Sequence, residues 1–437
     1  MTSKKKIALI DILVLVVIAV ALGVSMVFSR DIELKLGLLY YAEVQETEDN
    51  EKDSNDGEID TSSYPDMYVH FVDVGQGDCT IIELPDGKTM VIDGGENNKK
   101  VETAIQTFID NTFGSDFKYF DYAILTHPDS DHCGSLDYVL DKYPARVVYR
   151  PNVEAVGTKA SPYTDPGKAD LSADAVSKNT AVYANAVKAM YYVGDDMTSV
   201  VYVTDPAVES QTITGGSGDD KYSFTFYTPL STKYTGEGDW NNYSPVMILE
   251  YKGFKFAMSG DAEEKNLGEF VNKLQAAKSD GVTDKYDDFT DTYCVNVIKA
   301  GHHGSRNATT EDYLKAITTE TGAAGVYCVV SCGDGNSYGH PHSEAIDRYK
   351  SIGVKDENIL RTDKVGDITF SVRVDESGTY KLFYGDKAVK APVLVLTYLK
   401  LGSVELKWAL VAWVVYAVLV VAAIIHIAVY SGKSGGK

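Results

Sequence analysis

The stretch LTHPDSDHCGS, at Leu125–Ser135, continues the apolar run YAILT and concentrates metal-binding side chains at the end of a strand. The donors in it are His127, Asp129, Asp131 and His132. Alternate residues at a strand end point to the same side, so the first three can converge while the turn brings the fourth across. Imidazole suits Zn, Mn and Fe, whereas carboxylates favour harder ions or bridge two of them. The pattern favours a metal site over its alternative, a solvated acidic loop with two incidental histidines.

Two later strand ends carry the same kinds of side chain. The segment FAMSGDAEEKNL ends a strand at Asp261 and then turns into a helix, and VNVIKAGHHGS ends another strand at His302 and His303. Such groups are costly to bury unless a cation offsets the cost. Three strand ends that present histidine and aspartate therefore indicate one site rather than chance.

The wider pattern predicts two packed sheets with helices outside them. Strand-like runs YVHFVDV, CTIIEL and TMVIDGG come first, and the helix-like segment KKVETAIQTFIDNTF follows. Residues 151–220 are rich in Gly, Ser, Thr and Asp, and we interpret them as a long insertion over one face. Strands and helices then alternate, which favours a two-sheet architecture. Thr309 with Asp312 predicts a capping box for the helix that follows GHHGS.

Composition limits the classes of function. The chain has 437 residues and a formal net charge of −22, which argues against a sequence-independent nucleic-acid clamp with a basic face. An enzyme that meets phosphates through a bound cation stays open. The five cysteines are scattered without CxxC spacing, so they indicate neither a disulfide framework nor a thiolate zinc site.

Two apolar segments frame the chain, at Ile7–Phe28 and Trp408–Tyr430. Each is long enough to cross a hydrocarbon layer of about 30 Å. Lys4–Lys6 place the N-terminus in the cytoplasm by the positive-inside tendency, so two spans in the cell membrane would leave the intervening region outside the cell. The predicted segments are a cytoplasmic tip with a transmembrane anchor (1–30), an acidic linker (31–65), a folded domain (66–388), a juxtamembrane linker (389–407), a C-terminal transmembrane helix (408–430) and a short tail (431–437).

The order and spacing of five motifs resemble a known family. The motifs are VHFVDVGQGDCTIIELPDGKTMVIDGG, LTHPDSDHCGS, MSGD, KAGHHGS and YGHPHSEAIDRYKSIG. Over about residues 66–388 they look like the extracellular metallo-β-lactamase-type domain of ComEC-like competence DNA-uptake proteins. The resemblance implies an α+β fold, the αββα metallo-β-lactamase sandwich, which the two apolar segments would flank with one transmembrane helix at each end.

The resemblance also implies two divalent metal ions and their ligands. These are His127 and Asp129 for the first ion, Asp131 and His132 for the second, Asp261 between them, and one of His302 and His303 to complete the shell. Asp93 corresponds to an acid that orients ligands. The family's third motif usually supplies a histidine, but this chain has WNNYSPVMILEY there, with Asn242 and Ser244. The site is therefore richer in oxygen, and Mn²⁺ is an alternative to Zn²⁺.

The resulting prediction is a membrane-anchored, metal-dependent hydrolase that cleaves phosphodiester bonds outside the cell with metal-activated hydroxide. The resemblance implies nucleic acid as the substrate; a wall-polymer or small-molecule phosphodiesterase and a catalytically inert binding protein of the same fold are the alternatives. A partner in the membrane is left unidentified. The predicted catalytic residues are Asp131, His340 and His342, and the predicted substrate-binding residues are Asp78, Asn242, Ser244, Gly304 and Ser305.

Overall fold

The computed structural model describes residues 65–168, 171, 175–191, 199–202, 212–234, 240–280, 294–318, 325–388, 398–401 and 404–407. The chain divides into two compact units, one at Glu46–Pro392 and the other formed by Met1–Gln45 with Val393–Lys437. In the second unit, the described residues form an antiparallel hairpin, Tyr398–Leu401 with Val404–Lys407. All other elements belong to the first unit.

The first unit contains eighteen described strands and eight described α-helices. The strands are Met67–Phe71 (β1), Thr80–Glu83 (β2), Thr89–Ile92 (β3), Phe120–Ile124 (β4), Ala145–Arg150 (β5), Val153–Val156 (β6), Val176–Asn179 (β7), Ser199–Tyr202 (β8), Thr212–Gly215 (β9), Tyr222–Phe226 (β10), Met247–Tyr251 (β11), Phe254–Met258 (β12), Val297–Lys299 (β13), Tyr327–Val330 (β14), Ile359–Arg361 (β15), Ile368–Val374 (β16), Tyr380–Tyr384 (β17) and Lys387–Ala388 (β18). The helices are Lys99–Phe113 (α1), Ser130–Cys133 (α2), Leu136–Lys142 (α3), Ala181–Tyr191 (α4), Glu264–Asp280 (α5), Glu311–Ile317 (α6), Ser343–Ser351 (α7) and Thr362–Val365 (α8).

Two large sheets organise these strands. The first has the order β18-β17-β16-β1-β2-β3-β4-β5-β8, and the second has the order β15-β14-β13-β12-β11-β10-β9. Each sheet is antiparallel on one side and parallel on the other: β3, β4, β5 and β8 pair in parallel, as do β12, β13, β14 and β15. The parallel halves matter for function because they place several strand ends at a common edge.

Apolar alternation along the strands builds the layer between the sheets. In β1, Met67, Val69 and Phe71 are fully buried, and they pack with residues of the second sheet such as Phe256. Separate apolar clusters lie on the outer face of each sheet, one with residues of α1, α3 and α4 and the other with residues of α5, α6 and α7. The layers therefore run helix, sheet, sheet, helix, which confirms the predicted αββα sandwich.

The helix predicted over KKVETAIQTFIDNTF forms as α1, at Lys99–Phe113. It begins at Asn98, whose side chain accepts a hydrogen bond from the Val101 N–H at 3.1 Å. Val101, Ile105 and Ile109 recur every four residues and are buried against the sheet. Helical periodicity was readable in this segment, so the helix was predictable from the sequence.

Two expectations about local structure were wrong. The region 151–220 is more than an insertion over one face, because β8 pairs at an edge of the first sheet and β9 pairs at an edge of the second. The helix after GHHGS begins one residue later than the capping box predicted: Thr310 is its N-cap and accepts from the Tyr313 N–H. Thr309 instead accepts a hydrogen bond from the Gly301 N–H at 3.0 Å.

Among the described residues, no helix combines the length and the apolar character that a bilayer crossing requires. The predicted spans at Ile7–Phe28 and Trp408–Tyr430 both lie outside the described residues.

Candidate metal centre

The candidate site lies where parallel strands of both sheets end at one edge. In the first sheet, Asp93 directly follows β3 and His127 lies three residues after β4. In the second sheet, Asp261 lies three residues after β12 and His303 lies four residues after β13. The three strand ends singled out in the sequence therefore converge, as their shared chemistry suggested.

The carboxylate of Asp261 is the centre of this cluster. Its Oδ1 lies 3.1 Å from Nε2 of His132. Its Oδ2 lies 3.5 Å from Nε2 of His302, 3.6 Å from Nε2 of His303 and 3.8 Å from Nε2 of His127. Four imidazoles thus present the same ring nitrogen to one carboxylate, and the role of Asp261 between two metal ions stays a prediction.

The other nitrogen of each imidazole is occupied. Nδ1 of His132 lies 2.7 Å from Oδ2 of Asp93, and Nδ1 of His127 lies 3.1 Å from both the Ser244 and the Thr126 hydroxyl oxygens. Metal-ligating histidines characteristically use one ring nitrogen for such a partner, which fixes the ring and leaves the other nitrogen for the ion. Asp93 thus occupies the orienting position predicted for it.

The pair from the GHHGS motif follows the same rule. Nδ1 of His302 lies 3.0 Å from Oε1 of Glu263, and Nδ1 of His303 lies 3.0 Å from the Ser331 carbonyl oxygen. Both histidines have positive φ, 49° and 53°, in a tight turn at Gly301–Gly304. Left-handed backbone is unfavourable for such residues, and strain of this kind is retained mainly at functional sites.

Two further carboxylates divide the cluster into two groups of donors. Oδ2 of Asp131 lies 3.2 Å from Nε2 of His303, which is itself 3.2 Å from Nε2 of His132. We call Asp131, His132 and His303 the Asp131 group. Oδ2 of Asp129 lies 3.7 Å from Nε2 of His127. We call His127, Asp129 and His302 the Asp129 group, and Asp261 lies between the two groups.

Burial and mutual charge shift the pKa values of these groups in different directions. Burial by itself would lower the pKa of His303, but the carboxylates of Asp261 and Asp78 outweigh it and raise the pKa to about 10. For His132 the charges of Asp261 and Asp93 likewise outweigh burial and raise the pKa well above its usual value. Burial, reinforced by the charge on His132, lowers the pKa of His127. In the metal-free cluster, His132 and His303 therefore favour the protonated form beside the carboxylates, whereas His127 favours the neutral form.

The donor set fits a divalent cation. Nε2 of His127 and Oδ1 of Asp261 are buried without a hydrogen-bond partner among the described residues, although Oδ1 has the close His132 contact. One donor atom from each of four buried residues lies within 4.8 Å of the others; these residues are Asp78, His132, Asp261 and His303. Converging, partly unpartnered imidazole and carboxylate atoms with ordered outer partners are the features expected of a metal site.

Asp78 was predicted to contact substrate, but the structure places it in the interior, away from the cleft. It is buried, and its Oδ2 accepts a hydrogen bond from the Lys299 ammonium at 2.8 Å. Its Oδ1 lies 3.2 Å from Nδ1 of His303. Burial raises the pKa of Asp78, but the charges of Lys299 and His303 more than offset this and lower it. Asp78 therefore supports His303 from behind, and the ion pair with Lys299 competes with a direct ligand role.

Asn242 and Ser244 are also buried behind the donors, so the prediction of substrate contacts is corrected for both. The Ser244 hydroxyl lies 3.1 Å from Nδ1 of His127 and accepts a hydrogen bond from the Asp261 N–H. The Asn242 side-chain oxygen accepts from the N–H groups of Glu263 and Asn266. These two residues fix the segment that carries Asp261.

The last two residues of GHHGS, which were predicted to bind substrate, face inward. Gly304 and Ser305 are buried, and neither lines the cleft beside the donors. Gly304 has φ +82°, and a Cβ there would come within 2.5 Å of Pro341 Cβ, so its glycine is needed for packing. His342 lies outside the cleft lining, and its Nδ1 accepts a hydrogen bond from the Arg306 N–H at 3.1 Å. The predicted catalytic role of His342 has no geometric support.

His340 does line the cleft, which has a volume of about 290 Å³ and also exposes Asp129, Asp131 and His302. Burial, followed by the charges of His302 and His303, lowers the pKa of His340 to about 4. A neutral imidazole is a poor general acid, so protonation of a leaving group by His340 is disfavoured near pH 7. Tyr338, which is 64% exposed, stacks on the His340 ring at 5.7 Å.

Eight residues that line the cleft were not among the predicted site residues: Gln76, Pro128, Ser130, Lys178, Thr180, Val182, Asn241 and Tyr338. Gln76 lies within the quoted motif VHFVDVGQGDCTIIELPDGKTMVIDGG, and Asn241 directly precedes Asn242, which was predicted to bind substrate. Lys178 and Thr180 come from the region interpreted as an insertion. No motif marks them, because a lysine in a polar segment has the same appearance whether it faces solvent or a site.

Comparison with known proteins agrees with this geometry. Residues 72–321 match the model of the Metallo-beta-lactamase superfamily. ComE operon protein 3 of Bacillus subtilis (strain 168) is 23% identical over 342 residues, which cover 76% of this chain and 35% of that protein. Recombination protein 2 of Haemophilus influenzae is 22% identical over 295 residues, covering 66% of this chain and 27% of that protein. The chain thus spans about a third or less of these relatives.

A third relative, the competence protein ComA of Neisseria gonorrhoeae, is 26% identical over 173 residues, covering 38% of this chain and 21% of that protein. Among solved structures, Igni18, a metallo hydrolase from Ignicoccus hospitalis, covers 72% of this chain and 98% of its own, with 12% identity and a TM-score of 0.33. The relatives confirm the resemblance to ComEC-like competence proteins. The chain belongs to the metallo-beta-lactamase superfamily.

Proposed function

We propose that the chain is a metal-dependent hydrolase that cleaves phosphodiester bonds, with nucleic acid as its substrate. The observation that carries the proposal is the convergence of four Nε2 atoms on Asp261 beside an open cleft. The similarity to competence proteins and to a recombination protein favours nucleic acid. These relatives are much longer than this chain, so the activity of the whole proteins is not transferred to it.

The residues that would hold metal are those of the two donor groups with Asp261. A divalent ion bound there would supply Lewis-acid activation of water and of a phosphoryl oxygen. The chain's own contribution is to orient the four histidines. Each Nδ1 contacts an outer partner, which directs the Nε2 atom of that ring inward; the partners are Asp93, Ser331, Glu263 and Ser244. Preorganised donors of this kind lose little entropy on binding.

His340 contributes at the mouth of the cleft. Its lowered pKa of about 4 keeps the imidazole neutral near pH 7, so it can orient a substrate oxygen or water with a single N–H. Its Nδ1 is buried without a hydrogen-bond partner among the described residues. The adjoining Tyr338 ring extends this surface toward solvent.

The proposal includes the location predicted from the apolar segments. Residues 7–28 and 408–430 would cross the cell membrane and contact lipid, with the catalytic unit outside the cell. Protease treatment of intact cells tests this: an external unit is cleaved, whereas a unit inside the cell survives until the cells are opened.

The activity is tested with the purified full chain after chelation and add-back of Mn²⁺ or Zn²⁺. Bis(p-nitrophenyl) phosphate, single-stranded DNA and a polyol-phosphate wall polymer serve as substrates. We expect metal-dependent cleavage that Asp131→Ala abolishes, whereas Asp141→Ala, at an exposed position of α3, retains it. Cleavage of the wall polymer in preference to DNA would replace nucleic acid as the substrate. A folded chain that binds metal and cleaves none of the three would be a binding protein.

A further inference from the structure

The cleft contains one cation that the chemistry above does not use. Among the described residues that line it, Lys178 is the only lysine or arginine. The same lining includes the carboxylates of Asp129, Asp131 and Asp261. A phosphodiester is an anion, so a fixed positive charge beside these three carboxylates, in a chain of net charge −22, favours its entry.

Lys178 is held in place by two contacts. It lies in β7, at Val176–Asn179, and its Nζ donates to Oδ1 of Asp129 at 2.8 Å. The same Nζ lies 4.8 Å from the centre of the Trp240 ring, in cation–π geometry. The side chain is 17% exposed. Its ammonium is therefore positioned by the fold at the cleft wall rather than extended into solvent.

The ammonium has capacity for a further acceptor. It has three N–H donors, and its partners within the described chain are one carboxylate oxygen and one ring face. Two hydroxyl groups, of Ser130 and Thr180, line the cleft with it. The Thr180 hydroxyl oxygen accepts from the Tyr183 N–H, which leaves its own proton to donate. This wall is thus a set of donors on the Asp129 side of the cluster.

We infer that Lys178 is a substrate-binding residue whose ammonium binds a non-bridging oxygen of a phosphodiester in the cleft. The inference rests on the proposed function, because it names a contact to that substrate. Charge-assisted hydrogen bonds to phosphate are the strong ones, and a lysine acts in them as a point charge that tolerates varied substrate positions. The contact to Asp129 sets the ammonium in position before the substrate arrives.

Kinetics of the metal-loaded full chain test the inference. For Lys178→Met we expect KM for single-stranded DNA to rise about ten- to a hundredfold, the range for one charge-assisted hydrogen bond, with a smaller change in kcat. Lys178→Arg retains the charge and should recover part of the loss. Lys168→Met is the matched control, because Lys168 is exposed on the same segment and pairs with Glu154 at 2.5 Å.

Metal content of the variants separates substrate binding from support of the metal site. Unchanged metal content in Lys178→Met, measured by elemental analysis after dialysis, is expected. A loss of metal would overturn the inference and make Lys178 a residue that orients Asp129. An unchanged KM in Lys178→Met would overturn it as well.

A binding measurement keeps the test independent of turnover. Its probe is a thymidine dinucleotide with a phosphorothioate link, which keeps the negative charge and resists cleavage. We expect Lys178→Met to weaken its binding about tenfold in calorimetry and to leave binding of the uncharged methylphosphonate analogue unchanged. If the wild-type chain binds the charged probe through Lys178 but cleaves no diester, the proposed function fails while the inference stands. Equal weakening for both analogues would contradict the inference.

Discussion

The Asp131 group and the Asp129 group share one carboxylate and differ in almost everything else. In the Asp131 group, counting Asp261, three donor separations are 3.1–3.2 Å and the His303–Asp261 separation is 3.6 Å; both imidazoles are almost fully buried, and the Asp131 side chain is 23% exposed. In the Asp129 group the donor separations are 3.5–3.8 Å, and the Asp129 and His302 side chains are 32% and 22% exposed. The first group is therefore the more closely spaced ligand set and the second the more widely spaced one, and both groups reach the cleft.

The difference follows from the partners of each group. Asp93 and the Ser331 carbonyl hold the imidazoles of the Asp131 group, and a buried Lys299–Asp78 pair lies behind His303. The Asp129 group has Ser244 behind His127 in the segment where a third-motif histidine was expected, and Lys178 lies against Asp129. We therefore expect the Asp131 group to dominate metal affinity and the Asp129 group to dominate contact with substrate.

The largest expected effect comes from removing the residue that both groups share. Asp261→Asn keeps the shape but removes the charge that lies against four imidazoles. Because breaking a buried ionic cluster from one side costs about 3–5 kcal/mol, we expect that loss in the free energy of unfolding of the metal-free chain at pH 7. Bound metal should fall below detection after dialysis. Asp141→Asn is the exposed control, and a variant that keeps wild-type metal content would refute the central position of Asp261.

Removing one carboxylate from each group separates the groups directly. Asp131→Ala should weaken metal binding by more than about a hundredfold, because it removes a ligand rather than an outer partner. Asp129→Ala should weaken it less and should also release Lys178 from its contact. Competition of each variant with a fluorescent chelator gives the affinities. Equal losses in the two variants would show that the groups bind metal equally and that the spacing difference carries no energetic meaning.

The outer partners permit a milder comparison. Asp93→Asn replaces the carboxylate at 2.7 Å from His132, and Glu263→Gln replaces the one at 3.0 Å from His302. Outer partners of ligating histidines are worth about ten- to a hundredfold in metal affinity. We expect Asp93→Asn to reach the upper part of that range and Glu263→Gln the lower part. The reverse order would place the main ion in the Asp129 group.

Part of the fold and of these two groups could be predicted from the sequence. The sandwich was predictable because strand alternation and the α1 periodicity are local signals that survive packing. His127, Asp131, His132 and Asp261 could be selected from the sequence because histidine and aspartate cluster in the short segments that follow strand-like runs. The resemblance to ComEC-like proteins, rather than any local pattern, implied that Asp93 orients a ligand.

The remaining features depend on packing that no local pattern records. Asp78 and Ser244 were expected at the substrate and instead support donors from behind, because burial decides which side of a turn faces the cleft. Lys178 was missed because its role arises from contacts with Asp129 and Trp240, which are 49 and 62 positions away along the chain. His302 and His303 have positive φ angles, which direct the two side chains to different groups. The amino-acid sequence alone does not specify these angles.

The pH dependence of metal affinity should differ between the individual histidines of the cluster. In the metal-free chain, the raised pKa values of His303, about 10, and His132 mean that both hold protons at pH 7, which an incoming ion must displace. Affinity should therefore rise about tenfold per pH unit for each proton released between pH 7 and 9. His127, whose pKa is lowered, is already neutral and releases none. Burial would lower the pKa of His302, but the Asp261 charge and the Glu263 hydrogen bond outweigh it and raise this pKa, so the Asp129 group also contains a histidine that favours the protonated form. His127→Ala should thus preserve the slope while lowering affinity, and His303→Ala should reduce the slope by one proton, leaving the proton of His132. Titration calorimetry in buffers of different ionisation enthalpy counts the protons. A slope that His127→Ala abolishes would show that His127 carries the displaced proton and would contradict the neutral state inferred from its lowered pKa.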